Sequence, residues 1–166
     1  MPIADTLIAE LDREAQTTRR VLERVPEDKL TWKPHVKSMS LGRLAQHVAT
    51  IPGAISGMGK ADSYDVANFT EPPALESTAA ILAAFEESLA QAKANMGAVS
   101  DAAMMTNWSF VMGGKPIMTV PRIGLYRGIL LNHLYHHRGQ LTVYLRLLDV
   151  PVPSIYGPSA DENPFA

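Results

Sequence analysis

Cysteine is absent from the 166 residues, and with it go disulfides, thiolate metal sites and cysteine nucleophiles. Any metal ion must then be held by imidazole, carboxylate or water. An excess of one charge is also lacking: 15 Lys and Arg stand against 17 Asp and Glu, for a net charge of −2. The basic residues are scattered, with only Arg19 and Arg20 adjacent. No basic field is available to hold a phosphate backbone, so nucleic-acid binding is not expected. No apolar run approaches the roughly 20 residues that span a bilayer. The opening MPIADTLIAELDREAQ carries acids where a secretory leader has a basic region. The expectation is a cytoplasmic protein without a membrane partner. A GxxxxGK phosphate loop, a GxSxG elbow and an HExxH pair are also missing.

What is present is a globular balance, 46% hydrophobic and 19% charged, in a length that suits one domain over residues 1–166. Four segments carry helical periodicity. In the first, Leu7, Leu11, Thr18, Leu22 and Val25 form an apolar stripe, with Pro26 as its stop. The second runs from Ser40, a candidate N-cap, to Met58, with Pro52 inside the pattern and a bend expected there. The third steps through Leu75, Thr78, Leu82, Phe85, Leu89, Ala92 and Met96, ending near Gly97. The fourth is expected from Thr119-Val120-Pro121 to Asp149. Its apolar residues cover so much of its surface that it is either deeply buried or paired with another chain. Between the third and fourth, Trp108 to Met118 around Gly113-Gly114 reads as a short hairpin. The tail from Pro151 is proline-rich and without period. These elements predict an all-α four-helix bundle with that hairpin inserted.

The histidines carry the chemistry. His133 and His137 lie four apart on the fourth helix, where side chains stack one turn above the other. They share a face with Leu130, Leu134 and Leu141 and therefore point inward. Burying a polar ring without a partner costs on the order of 1–3 kcal/mol, and the helix offers no acid before Asp149. A shared cation would satisfy both rings. His47, at the edge of the second helix's stripe, can supply a third nitrogen from a facing helix. An isolated H-x-x-x-H pair is by itself a weak signal, and His47 is what strengthens this one. By its angle on the helix His136 is structural or supports a ligand; His35, in a proline-flanked loop, is solvated. Three imidazoles suit zinc, with nickel or iron also acceptable.

The stretches Trp32-Lys33-Pro34-His35, Leu44-Ala45-Gln46-His47-Val48-Ala49 and Asn132-His133-Leu134-Tyr135-His136-His137-Arg138-Gly139-Gln140-Leu141, with the closing Tyr156-Gly157-Pro158-Ser159-Ala160-Asp161-Glu162, resemble the DinB/YfiT-like superfamily of bacterial metal-binding four-helix bundles. The resemblance covers nearly the whole chain. It implies a histidine triad at His47, His133 and His137, a zinc or nickel ion, and homodimers. It also implies chemistry such as thiol-dependent S-transfer, isomerisation with a low-molecular-weight thiol, or hydrolysis.

Two functional classes follow. In the first, an open three-histidine metal makes the chain an enzyme acting on a small molecule, with Gln140 and Tyr126 or Tyr135 as polar neighbours and Trp108 and Tyr156 as pocket walls. No catalytic residue beyond the ligands is assigned. In the second, the metal stabilises a non-catalytic, stress-related dimer.

Overall fold

The apolar spacings of the sequence become buried helix faces. The computed structural model describes residues 1–165; Ala166, the last residue of the expected 1–166 domain, lies outside the described residues. Helix α1 (Ile3–Leu22) buries Leu7, Leu11, Ala15, Thr18 and Leu22. It stops at Leu22, four residues short of Pro26, and Val25 still packs into the core. Helix α2 (Leu41–Met58) opens on Ser40, whose Oγ accepts from the Arg43 amide, the cap expected from sequence. It continues through Pro52, and the next amide, of Gly53, donates to Ser88 Oγ at 2.7 Å. Twelve of the 18 residues of α2 are buried, against four of 16 in the last helix. The deeply buried element is therefore α2, not the fourth helical segment.

Helix α3 (Thr78–Gly97) begins at a Ser77 cap, three residues later than the stripe from Leu75 suggested. Ser77 Oγ accepts the Ala80 amide, a stronger local start signal than the apolar spacing. A single turn, α4 (Asp101–Met104), leads into strands β2 (Asn107–Met112) and β3 (Lys115–Pro121). They are antiparallel and joined by Gly113 and Gly114 at φ of 57° and 77°, values that glycine adopts without strain. The register shifts after Phe110, which leaves Ile117 unpaired and admits Pro116 into an edge strand. A third strand, β1 (Ser63–Asp65), lies parallel to β2.

The all-α expectation is thereby corrected. The chain is mostly helical with a small three-stranded sheet in the order β1-β2-β3. Strand β1 has three residues, too few for a period-two pattern to show. The expected hairpin is present, and Trp108 at its start is fully buried, its Nε1 donating to the Met58 carbonyl at 3.1 Å.

The fourth helical segment starts later than expected. Thr119-Val120-Pro121 belongs to β3, and the chain turns into α5 (Arg122–Gly124), a π-helical stretch Leu125–Leu131, and α6 (Asn132–Leu147). Arg122 fastens this corner, donating to Asp62 Oδ1 at 2.5 Å, Thr106 Oγ1 at 2.9 Å and the Ala103 carbonyl at 3.0 Å. The four long helical segments pack in a ring, α2 on α3, α3 on α1, α1 on α6 and α6 on α2. Leu11, Leu22, Leu41, Ile81, Phe85, Leu134 and Leu141 fill its centre.

The proline-rich tail is pinned rather than loose. Asp161 accepts the Val152 amide at 2.8 Å and pairs with Arg146; Glu162 accepts the Ser154 amide at 3.0 Å and pairs with Arg20 and Arg24. Two of the four residues in the closing Ser-Ala-Asp-Glu thus fold the tail back onto α1 and α6. Among the described residues no helix is long and apolar enough to cross a membrane.

Helix α2 runs close against α3 at Gly53, where a Cβ would lie 2.8 Å from Gln91 Oε1 and 3.1 Å from the Ser88 Cα. The Gln91 side chain can swing aside, but the Ser88 backbone cannot. Gly53→Ala is expected to destabilise the fold by about 1–3 kcal/mol, read as a lowered midpoint in urea unfolding; an unchanged midpoint would mean that the two helices separate freely.

Candidate metal centre

His47 sits near the middle of α2, and the residues around it fasten that part of the helix. Gln46 is buried, its Nε2 donating to the Pro73 carbonyl at 2.7 Å and its Oε1 accepting the Leu75 amide at 3.1 Å. Arg43, one turn earlier, donates to the Pro72 carbonyl at 2.7 Å and pairs with Glu71. The chain before α3 is thereby drawn onto α2, and His47 is left directed at α6.

Across the α2–α6 seam His47 meets both histidines of α6. One ring nitrogen from each of His47, His133 and His137 falls within 4.8 Å of the other two. The Nε2 atoms of His47 and His133 are 2.9 Å apart. Two nitrogens bound to one zinc at about 2.05 Å and a tetrahedral angle lie about 3.3 Å apart, so a small relaxation converts this contact into shared ligation. The rings meet edge to face, with centroids separated by 5.0 Å (His47–His133), 4.5 Å (His47–His137) and 4.4 Å (His133–His137). All three are half-buried, and among the described residues no carboxylate joins the group.

The electrostatics favour the uncharged ligand form. Burial, followed by the neighbouring His137 and His133, lowers the His47 pKa to about 4. His133 is lowered by burial and then by His137 and His136. His137 is lowered by burial, against an opposing hydrogen bond from Gln140. That bond has a second consequence. Gln140 Oε1 lies 2.7 Å from His137 Nδ1 and accepts its proton, which leaves the Nε2 lone pair free, the usual arrangement for a metal-ligating imidazole. A nitrogen-only set of three neutral donors fits a borderline divalent cation such as Zn²⁺, Ni²⁺ or Fe²⁺.

The structure thus brings together the three histidines singled out in the sequence, with Gln140 beside them. The other expected neighbours lie elsewhere. Tyr135 donates its hydroxyl to Glu10 at 2.8 Å, and Tyr126 is buried with its hydroxyl unpartnered. Trp108 is a core residue rather than a pocket wall. Tyr156 is turned to the α1 side, where its hydroxyl meets Glu14 and Arg138. His136 is exposed, its ring centroid 4.8 Å from that of His137. His35 is exposed, and its Nδ1 accepts the Lys37 amide at 3.2 Å. Arg138 was missed, although it stands on the buried stripe Leu134, Arg138, Leu141, Leu145 and was legible from that spacing.

A family model described as the DinB family matches residues 1–164. Uncharacterized protein YrdA of Bacillus subtilis is 26% identical over 159 residues, which cover 95% of this chain and 90% of that one. Among solved structures, a DinB-like protein from Bacillus cereus superposes with a TM-score of 0.70 at 21% identity, covering 92% of this chain and 97% of its own. A DinB-like protein (YjoA) from B. subtilis does so with a TM-score of 0.71 at 17% identity, covering 90% and 96%. At these identities the structural likeness speaks for the fold alone.

The lowered histidine pKa values give the metal-free protein a defined acid response. The unfolded chain takes up protons on His47 near the ordinary pKa of about 6.5, whereas the folded chain does so only near 4. Stability is therefore full above pH 6.5 and declines as the pH falls from there towards 4. Urea midpoints measured across that window should decline, and His47→Leu should flatten the decline. An equal decline in the variant would assign the acid response to other groups.

Proposed function

The chain belongs to the DinB family, and from that premise we propose that it binds a divalent metal ion through His47, His133 and His137 and uses it as an enzyme that activates a thiol or water, in S-transfer or hydrolysis. The observation that carries this reading is three convergent imidazole nitrogens from two helices with no fourth protein ligand among the described residues. Open coordination of this kind goes with catalytic rather than structural zinc. Zinc is the favoured ion, with nickel and iron as acceptable occupants.

A bound divalent cation supplies Lewis acidity, which lets a thiol or water lose its proton near neutral pH. The protein's part is to hold and to orient. The three histidines bind as uncharged rings, so the full positive charge is retained for the substrate. Gln140 keeps the proton of His137 on Nδ1, which leaves the Nε2 lone pair free. The three rings are half-buried in the α2–α6 seam, so solvent reaches them only in part. A low-molecular-weight thiol is the co-substrate that fits a chain without cysteine, since the nucleophilic sulfur must then come from outside.

The proposed setting is the cytoplasm, with a second copy of the chain as partner. Val143 and Leu147 on α6 are each 58% exposed, which supports such pairing. A second reading, a metal-stabilised dimer without catalysis, is favoured by one feature: the triad bridges α2 and α6, so a bound ion would also cross-link the bundle.

Elemental mass spectrometry of the untagged protein tests the site. Near one metal per chain is expected, and it should be lost in His47→Ala and in His133→Ala. No metal after reloading with zinc and nickel would contradict the proposal. A catalytic centre should also change its spectrum when thiol is added and turn over an electrophile; metal at full occupancy with neither response would favour the structural reading.

A further inference from the structure

On α6, directly after His137 and about 100° further round the helix, a cation is buried. Arg138 is 2% exposed. Its Nη1 lies 2.7 Å from Glu14 Oε2 and donates to Thr18 Oγ1 at 3.1 Å and the Glu14 carbonyl at 3.2 Å, all on α1. Its Nη2 donates to the Tyr156 hydroxyl at 2.6 Å, and that hydroxyl donates onward to Glu14 Oε2 at 2.8 Å. Arginine, glutamate and tyrosine thus close a ring that joins α6, α1 and the tail. The aromatic rings of Tyr135 and Tyr156 pack against the guanidinium carbon, at 5.4 Å and 5.1 Å from their centroids.

Stability alone does not explain this cluster. The desolvation of a buried ion pair offsets most of its attraction, and a well-packed apolar residue usually does as well. Leucines occupy the rest of the same stripe, at 134, 141 and 145. What the ionic ring adds is direction. Leucine contacts tolerate a helix that slides or rotates slightly, whereas a forked guanidinium with three oriented acceptors does not.

Helix α6 needs such an anchor for two reasons. The π-helical stretch Leu125–Leu131 lies immediately upstream, so the corner fastened by Arg122 does not carry the α-helical phase into His133. The histidines also tolerate little error. A rotation of about 20° moves a nitrogen about 6 Å from the helix axis by about 2 Å, some ten times the ~0.2 Å latitude of a metal–ligand bond.

We infer that Arg138, held by Glu14 and Tyr156, is a positioning residue for the metal centre: it sets the rotation of α6 at which His133 and His137 meet His47. The inference rests on the metal-binding reading. It also assigns a purpose to the pinned tail, whose ion pairs at Asp161 and Glu162 bring Tyr156 to the ring.

The test compares the wild type with Arg138→Lys, Tyr156→Phe and the double variant Glu14→Gln/Arg138→Met, which leaves no unpaired buried carboxylate. Zinc affinity is measured by chelator competition, the visible absorption of the Co²⁺-loaded protein reports ligand geometry, and circular dichroism reports folding. The variants should remain helical and take up one ion at saturation. Arg138→Lys and the double variant should bind zinc about 10- to 100-fold more weakly, the range for losing an outer partner of a metal ligand, with a shifted Co²⁺ spectrum. Tyr156→Phe should move the same way by less, and it decides the matter if the Arg138 variants do not fold. Wild-type affinity and an unshifted Co²⁺ spectrum in the folded variants would overturn the inference alone. Absence of metal from the wild type in the same assay would overturn the metal-binding reading and this inference together.

Discussion

Three imidazoles held within 4.8 Å of one another, with no acid among them, impose the constraint around which this structure is arranged. Two contacts order the group: His47 Nε2 lies 2.9 Å from His133 Nε2, and His137 Nδ1 donates to Gln140 Oε1 at 2.7 Å. A divalent cation placed among them would give each ring a common centre for one lone pair. The lowered pKa of all three histidines follows from the same packing, and it keeps the rings in the form that a cation requires. The absence of cysteine removes thiolate as a competing donor and leaves the imidazole nitrogens as the borderline donors of the group.

Much of the remaining structure serves to hold two helices at one mutual rotation. Helix α2 is fixed by burial and by Gln46 and Arg43, which draw the preceding loop of α3 onto it. Helix α6 buries four residues, Leu134, Arg138, Leu141 and Leu145. Directional bonds act there as well, with Gln140 on His137 and Arg138 on the α1 side. The tail, irregular in itself, carries Tyr156 into that second set. Its exposed ion pairs contribute little stability individually, but Asp161 and Glu162 also accept backbone amides, so each carboxylate fixes chain direction as well as charge.

The helical elements and the triad were legible in the sequence because each rests on spacing. Leu7, Leu11, Thr18 and Leu22 recur at helical steps and are buried. The four-residue interval of His133 and His137 already fixed their stacking, and Gly113-Gly114 marked the hairpin turn. The rest depended on events that spacing does not encode. Strand β1 is too short for alternation, and its pairing with β2 is long-range. The π-helical stretch interrupts the fourth segment without breaking its apolar composition. Pro121 suits the first turn of a helix but closes an edge strand, a position that tolerates proline as well. Trp108 and Tyr156, aromatic residues outside the helical stripes, carry no spacing that separates a pocket wall from a packing residue; one fills the core and the other completes an ion-pair ring.

X-ray absorption at the zinc edge, recorded on the zinc-loaded protein with and without a low-molecular-weight thiol, tests the central claim most directly. The account predicts three imidazole nitrogens at about 2.0–2.1 Å and a further light atom that gives way to sulfur at about 2.3 Å when thiol is added. A shell with fewer than three imidazoles, or four protein ligands indifferent to thiol, would contradict it.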